Sequence, residues 1–332
     1  MTDHVSASQI ARDFASPSYS KALFQFGNTL MLYITSIYLM FALLPVSYGY
    51  VLGISLLATV AHVRLFMIGH DCAHESYLPR KGWQNKALGS LIGVLTNTPL
   101  DYWGSQHLVH HQTVGNLDRR GHGDVVTLTT EEFKATGFWR RVWYRIGRNP
   151  HILMFIFAPI HFLIMQRFPF EQKKAPRKVW VSIMGTNVGM LIYYGALMSF
   201  FGLEAVLLVF LPVLLMSSTI AVWLFYVQHQ FDEAYWERNE AWNYKDATLK
   251  GSSFYNLPRW LHWATGNIGY HHLHHLNPKI PNYKLAACHY SDPMLQEGKS
   301  ITFWESFRLA KLALWDESAR RLISFAEFDL RK

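Results

Sequence analysis

Two long stretches of the chain carry almost no charged side chains. Residues 26–63 contain no Asp, Glu, Lys or Arg, and residues 179–231 contain only Glu204. Turn-forming residues interrupt both stretches, at Pro45 in the first and Gly202 in the second. A helix of about 20 residues crosses a bilayer at about 1.5 Å per residue. The pattern therefore predicts four membrane-spanning helices, at about residues 26–44, 48–68, 179–200 and 205–227.

Two other apolar stretches are shorter. Leu88–Leu100 has 13 residues, and His151–Gln166 has 16 residues with Pro159 inside it. Because neither stretch reaches the length of about 20 residues that a membrane-spanning helix needs, both are expected to lie in the membrane interface or to dip into the membrane without crossing it.

The chain from Thr302 onward predicts an amphipathic helix. Thr302 and Glu305 have the spacing of a capping box, which marks the start of a helix. Arg308 and Lys311 face away from the apolar side. Bulky apolar side chains recur near helical spacing along this stretch, namely Phe303, Trp304, Phe307, Leu314 and Trp315.

The composition agrees with a membrane protein. Half of the residues are hydrophobic and 16% are charged, against about 25% charged residues in soluble domains. Two cysteines, Cys72 and Cys288, exclude a disulfide framework and a zinc ribbon built from cysteines. The 17 histidines are many for a chain of 332 residues, and they occur in clusters.

The net charge of +8 is concentrated in one segment, because residues 112–178 hold 12 Lys and Arg against 5 Asp and Glu. Two interpretations remain open. Positive charge marks the cytosolic side of membrane proteins, and it also suits the docking of an acidic electron-donor protein. Nucleic acid is not an expected partner, since Phe, Trp and Ile interrupt the basic residues and no recognition motif accompanies them.

Three histidine clusters carry the candidate chemistry. They read HDCAH at 70–74, HLVHH at 107–111 and HHLHH at 271–275. Side chains three and four residues apart share one face of a helix, whereas His272 is turned by about 100° from His271. The clusters therefore present eight imidazoles, from His70, His74, His107, His110, His111, His271, His274 and His275.

Eight neutral imidazoles are too many for one metal ion and suit two. Imidazole ligands favour Zn, Cu, Fe or Ni, and the HExxH pattern of zinc hydrolases is absent. The histidines therefore predict a redox-active pair of metal ions, most commonly iron. His62, His151 and His161 stand alone in apolar surroundings, where packing or a hydrogen bond is the usual role of a histidine.

The order of the spans brings the clusters to one side of the membrane. No signal peptide is recognisable, so the N-terminus is expected in the cytosol. With four crossings, spans two and four both return to the cytosol, near His70 and His229. His229 thereby becomes a ninth candidate ligand. The cytosolic cap is expected at residues 69–178 and 228–332, within a single domain over 1–332.

The clusters resemble the three histidine boxes of the membrane fatty acid desaturase family. The segment WLFYVQHQF at 223–231 is similar to the family's sequence after the fourth span. The segment from Thr265 through IPNY at 280–283 resembles the third box and its sequel in bacterial and cyanobacterial acyl-lipid desaturases. The resemblance covers about residues 25–320.

This resemblance implies an all-α membrane protein with four spans, interfacial helices and a cytosolic helical cap that holds a diiron site. It also implies O₂-dependent formation of a cis double bond in a lipid-linked acyl chain. No haem domain is fused to the chain, so the two electrons would come from a separate donor such as ferredoxin or flavodoxin. The expected location is the bacterial inner membrane, with the site facing the cytosol.

Polar residues near the boxes are candidates for orienting the ligands from behind. The carboxylates are Asp71, Asp101, Asp124 and Asp232. Asn267, one helical turn before His271, would either hold a water at the metal or cap a helix.

Two alternatives stay open. A hydroxylase or ketolase of the same metal class, acting on alkanes or carotenoids, would share the boxes and differ in product. A metal or proton transporter would place histidine and acidic residues inside the spans, which are nearly free of them.

Overall fold

The computed structural model describes residues 6–79, 82–121, 123–170 and 174–331, and the chain is mostly helical there. Four long helices lie where spans were expected. The side chain of Ser47 accepts a hydrogen bond from Gly49 N and so caps the second of them. Gly202, with a positive φ of 82°, makes the sharp turn between the last two. The long helices are α2 (Tyr19–Leu43), α3 (Tyr48–Ala73), α10 (Arg177–Phe201) and α11 (Leu203–Val227).

Helix α3 is the most enclosed of these helices, packed against α2, α11 and the next helix along the chain, α4 (Trp83–Leu95). It continues through the first histidine box to Ala73, beyond the span expected to end at residue 68. Hydropathy marks only the apolar part of a helix, whereas hydrogen bonding and packing decide where the helix ends.

The apolar stretch 88–100 belongs to a helical hairpin. It comprises α4 (Trp83–Leu95) and α5 (Leu100–Thr113), joined by a turn in which Asn97 has a positive φ of 56°. Tyr194 Oη donates to Asn97 Oδ1 at 3.2 Å. The tip of the hairpin therefore lies deep along α10, because Tyr194 is 17 residues beyond that helix's start.

Among the described residues, the stretch 150–167 is a fifth helix that is long and apolar enough to cross a membrane. It is irregular: α8 (Pro150–Ile152) passes through a π-helical turn (Leu153–Phe157) into α9 (Ala158–Leu163) and a 3₁₀ turn (Met165–Arg167). Thr219 Oγ1 donates to the Met154 carbonyl in the π-helical turn at 2.9 Å. Arg167 Nη1 donates to Asn187 Oδ1 at 3.0 Å, so the end of this stretch reaches the middle of α10.

Short elements make up the rest of the fold. Helix α7 (Phe138–Gly147) leaves Phe138, Trp139 and Trp143 exposed beside its arginines. The short helices are α1 (Ala7–Phe14), α6 (Thr130–Ala135), α7 (Phe138–Gly147), α12 (Tyr244–Lys250), α13 (Arg259–Ala264), α14 (His271–Leu276), α15 (Asn282–His289), a 3₁₀ turn (Pro293–Gln296), α16 (Phe303–Leu309) and α17 (Phe325–Leu330).

The expectation of an all-α protein is wrong in detail, because the described residues include five short strands. They form a three-stranded sheet in the order β1-β4-β5 and a parallel pair of β2 with β3. The strands are β1 (Leu128–Thr129), β2 (Phe254–Asn256), β3 (Ser300–Thr302), β4 (Leu312–Asp316) and β5 (Arg321–Ser324).

The C-terminal amphipathic helix is shorter than expected. Thr302 and Glu305 do form both arms of the capping box, but α16 ends at Leu309. Leu314 and Trp315 lie in β4 instead, where every residue is buried. Strand β4 is the centre of its sheet and pairs with β1 and β5 on its two edges. These distant pairings, which the local pattern does not reveal, override the helical spacing.

Candidate metal centre

The first histidine box lies at the C-terminal end of α3. His70 is in the last turn and His74 is the C-cap residue. His70 Nδ1 lies 3.0 Å from Asp71 Oδ1. The other oxygen of Asp71 accepts from Asn282 N at 2.6 Å and Asn282 Nδ2 at 2.8 Å. With Nδ1 as the donor to Asp71, Nε2 of His70 keeps its lone pair for the interior of the site.

The second box lies on α5, whose helical spacing turns His107, His110 and His111 into the protein. Trp103, one turn earlier, stacks on the His107 ring with centroids 4.6 Å apart and planes at 20°. This residue was not anticipated from the sequence, although its i, i+4 spacing to His107 was the available signal.

The third box forms α14, and His229 follows the end of α11. His229 Nδ1 donates to the Gly251 carbonyl at 2.8 Å, which leaves its Nε2 3.0 Å from His271 Nε2. A histidine with no partner beside it in the sequence thus joins the cluster. The bond to Gly251 is a backbone contact that the sequence does not indicate.

The structure brings all nine predicted histidines together, and eight of them form two buried groups. Within each group the candidate ligand nitrogens lie within 4.8 Å of one another. His111 connects the groups, because its Nε2 is 2.9 Å from that of His274 and its ring stacks on His275 at 4.3 Å. The first group is His70, His74, His107 and His274, and the second is His110, His229, His271 and His275.

The electrostatics of the cluster suit metal ions. Burial, followed by the neighbouring imidazoles, holds the pKa of His271 and of His275 well below the ordinary value. Burial lowers the pKa of His229 to about 4. These rings are therefore neutral near pH 7 and have free lone pairs.

Hydrogen bonding alone does not satisfy these rings. Close Nε2 pairs include His70 with His107 at 3.0 Å and His70 with His274 at 3.1 Å. One ring nitrogen cannot donate its single hydrogen to two neighbours at full strength, and each buried unsatisfied group costs about 1–3 kcal/mol. Metal ions between converging lone pairs would remove this cost, so the donor set fits two ions held by imidazoles.

His272 and His262 stand outside both groups. His272 Nε2 donates to the Leu295 carbonyl at 3.0 Å. The His262 ring stacks on Tyr270, with centroids 4.5 Å apart. His272 thus lies inside a box but on the other face of α14, as its rotation from His271 indicates.

The four candidate carboxylates occupy different surroundings. Asp71 contacts His70, as described above. Asp101 pairs with Lys86 at 3.1 Å, and Asp232 pairs with Arg308 at 2.7 Å. Asp124 accepts from Gly121 N at 2.8 Å and lines the same cavity as several box histidines.

Asn267 precedes α14 instead of lying on it, because that helix begins at His271. Its positive φ of 59° places it in a turn, and its Nδ2 donates to the Asn282 carbonyl at 3.1 Å. The premise of one helical turn between Asn267 and His271 is therefore wrong. Asn282 is a supporting residue that the sequence does not single out, although it stands in the IPNY segment and donates twice to Asp71.

A cavity of about 530 Å³ lies beside the cluster. We call it the acyl cavity. His70, His107 and His271 line it, together with Gly121, Gly123, Asp124 and Val125 and with apolar side chains of the 150–167 stretch. A space of this size and lining suits an extended apolar ligand.

Comparison with known proteins agrees with this geometry. The fatty acid desaturase family model matches residues 15–306. A fatty acid desaturase of Bacillus subtilis is 43% identical over 94% of this chain and 88% of its own length. The sn-1 oleoyl-lipid 12-desaturase of a Synechocystis species is 26% identical over 83% of this chain and 75% of its own length.

A further relative, the sn-1 acyl-lipid omega-3 desaturase (ferredoxin) of a Nostoc species, is 27% identical over 67% of this chain and 61% of its own length. The family match confirms the resemblance carried by the three boxes and does not favour a hydroxylase or ketolase. Two histidine groups lie beside an apolar cavity, and the family model matches most of the length of this chain. The chain therefore belongs to the fatty acid desaturase family, a family of oxidoreductases.

Proposed function

We propose that this protein is a diiron desaturase that inserts a cis double bond into an acyl chain of a membrane lipid. The observation that carries the proposal is the pair of four-histidine groups at the wall of the acyl cavity. The relatives named for lipid-linked acyl chains support this class of substrate.

Nine histidines would hold the two ions, four in each group and His111 between the groups. Bound iron would supply the redox chemistry that an unactivated C–H bond requires. Asp71 and the Gly251 carbonyl fix the ring orientation of His70 and His229. Asn282 in turn holds Asp71, so the support extends beyond the residues that face the metal.

The reaction balances with one O₂, two electrons and two protons. Two adjacent methylenes lose one hydrogen each and become an alkene, and O₂ is reduced to two waters. The electrons come from a separate carrier such as ferredoxin or flavodoxin, and one relative is named for ferredoxin.

An apolar lining makes the acyl cavity suitable for an acyl chain. Each methylene transferred from water to an apolar site contributes about 0.8 kcal/mol. Leu153, Phe157 and Ile160 provide such a surface in the acyl cavity. An acyl chain that comes from a bilayer is already in apolar surroundings. The cavity therefore mainly selects the shape and the position of the acyl chain.

We further propose four membrane crossings, in the bacterial inner membrane, with the metal centre on the cytosolic side. The end of the 150–167 stretch contacts Asn187, ten residues into α10, which favours a segment that enters and returns on the same side. Tags near Arg119 and Asn243 should be cytosolic, and tags at Ser47 and Gly202 should be external. A tag at Arg119 on the same side as Ser47 would contradict this arrangement.

Expression in a host without polyunsaturated lipids tests the activity. Mass spectrometry of the membrane lipids should locate a new double bond that requires O₂, and the purified protein should contain two irons per chain. A hydroxylated product would favour the alternative reaction. Active protein with two zinc ions and no iron would exclude the redox proposal.

A further inference from the structure

One boundary of the acyl cavity is marked by two aromatic rings. Phe66 of α3 and Phe162 of α9 meet edge to face, with centroids 5.6 Å apart and planes at 89°. Both rings line the acyl cavity. Phe66 also contacts Trp103, the residue that stacks on His107, at 5.2 Å. The ring pair is therefore tied to the metal centre through an unbroken series of aromatic contacts.

A second, smaller cavity lies behind this ring pair, and we call it the tip pocket. Its volume is about 20 Å³, which is enough for roughly one water molecule. Thr96 and Asn97 line it from the tip of the α4–α5 hairpin, and Leu163 lines it from the end of α9. It therefore lies between the tip of the α4–α5 hairpin and the end of α9.

The tip pocket lies next to the acyl cavity, on the side away from the histidines. The two share four lining residues, which are Val63, Phe66, Phe162 and Ala221. On α11 the acyl cavity is lined from residue 221 to residue 228, and the tip pocket from 214 to 221. Seven residues of helix correspond to about 10 Å. The tip pocket thus lies about 10 Å further from the histidines along the same helix.

We propose that the Phe66–Phe162 ring pair is the stop for the methyl end of the acyl chain and so determines which carbons face the metal centre. This inference rests on the proposed desaturase function and adds its specificity-determining residues. The histidines and the ring pair line the same cavity, and the rings also adjoin the tip pocket, so a chain that passes the histidines with its methyl end first meets the rings last. The length of cavity between the histidines and the rings then sets the number of carbons between the new double bond and the methyl end.

Two substitutions move the stop in opposite directions. Phe162→Ala joins the tip pocket to the acyl cavity, so the chain slides further in and the double bond shifts toward the carbonyl by at least one carbon. Ala221→Leu adds bulk where the two cavities meet, so the chain stops earlier and the double bond shifts toward the methyl end. In the wild type, acyl chains of different length should carry the bond at the same distance from the methyl end.

The matched control is Phe155→Ala, since Phe155 lies on the same stretch but is 66% exposed on its outer surface. It should leave the bond position unchanged. Each variant is expressed in the same host, its metal content is measured to establish correct folding, and the bond is located by mass spectrometry. If Phe162→Ala binds no metal, Phe162→Leu, which keeps more of the ring's volume, serves in its place.

The outcomes separate this inference from the function on which it rests. Opposite shifts in the two variants, with an unchanged control, support the ring pair as the stop. If the wild type is active but both variants place the double bond where the wild type does, the inference alone is overturned. The same holds if the double bond lies at a fixed distance from the carbonyl for all chain lengths. A wild type that forms no alkene overturns the proposed function and the inference with it.

Discussion

Replacing Asp71 with asparagine tests how the metal centre is supported. The carboxylate contacts His70 Nδ1 with one oxygen at 3.0 Å, and it accepts two hydrogen bonds from Asn282 with the other. An amide has nearly the same shape but only one accepting atom. Asp71→Asn can therefore satisfy His70 or Asn282, but not both.

Either orientation of the new amide carries a cost. If its NH₂ group faces His70, Nδ1 must accept, and the ring proton moves to Nε2, where it blocks the lone pair needed by the metal. If its NH₂ group faces Asn282, donors oppose donors at a buried position, which costs about 1–3 kcal/mol. Loss of such a support typically weakens metal binding 10- to 100-fold, or about 1.4–2.7 kcal/mol.

The assay measures iron per chain in purified protein, together with metal retention against a graded chelator. Asp232→Asn is the matched control, because that carboxylate is paired with Arg308 near the surface. An exposed pair contributes about 0–1 kcal/mol, so metal retention should not change. Equal retention in Asp71→Asn and the wild type would refute the reasoning, and so would equal loss in both variants.

Three further outcomes are expected. His229→Ala should lose activity and about one iron per chain, whereas His272→Ala should retain both, because His272 bonds to the Leu295 carbonyl outside both groups. Burial lowers the pKa of His229 from about 6.5 in an unfolded chain to about 4, so protons favour the unfolded state. Metal content and thermal stability should therefore fall as the pH drops from about 6.5 toward 4, and stay level between pH 7 and 8. Charge reversal at Arg140 and Arg141, beside the exposed aromatic side chains of α7, should lower the yield of protein in membranes. The salt dependence of turnover with the electron donor should not change. A raised KM for the donor would instead assign donor docking to this segment.

The sequence was sufficient wherever the governing interaction is local. Helical spacing alone separated His271 from His272, and the long apolar stretches located the helices that lead to His70 and His229. Both signals act within a few turns of one helix, so an unaligned sequence contains them.

Contacts between distant residues were not predictable in this way. Asp71 and Asn282 are 211 positions apart. Leu314 has helical spacing to Phe307 but pairs with Leu128 and Ile323 in a sheet. The π-helical turn at Leu153–Phe157 accepts a hydrogen bond from Thr219 of α11. Such features follow from packing that brings remote segments together, and no local pattern encodes them.

The distribution of the histidines along the chain has a consequence for biosynthesis. The first group is incomplete until His274 has been synthesised, and the second until His271 and His275 have been. All four long helices, in contrast, end by residue 227. A ribosome thus releases every long apolar helix for insertion before either group is complete. A chain truncated before residue 271 would still enter the membrane but would retain three histidines of the first group and two of the second. With the iron proposed for these groups, metal content would measure completed translation and assembly, and insertion alone would leave it at background.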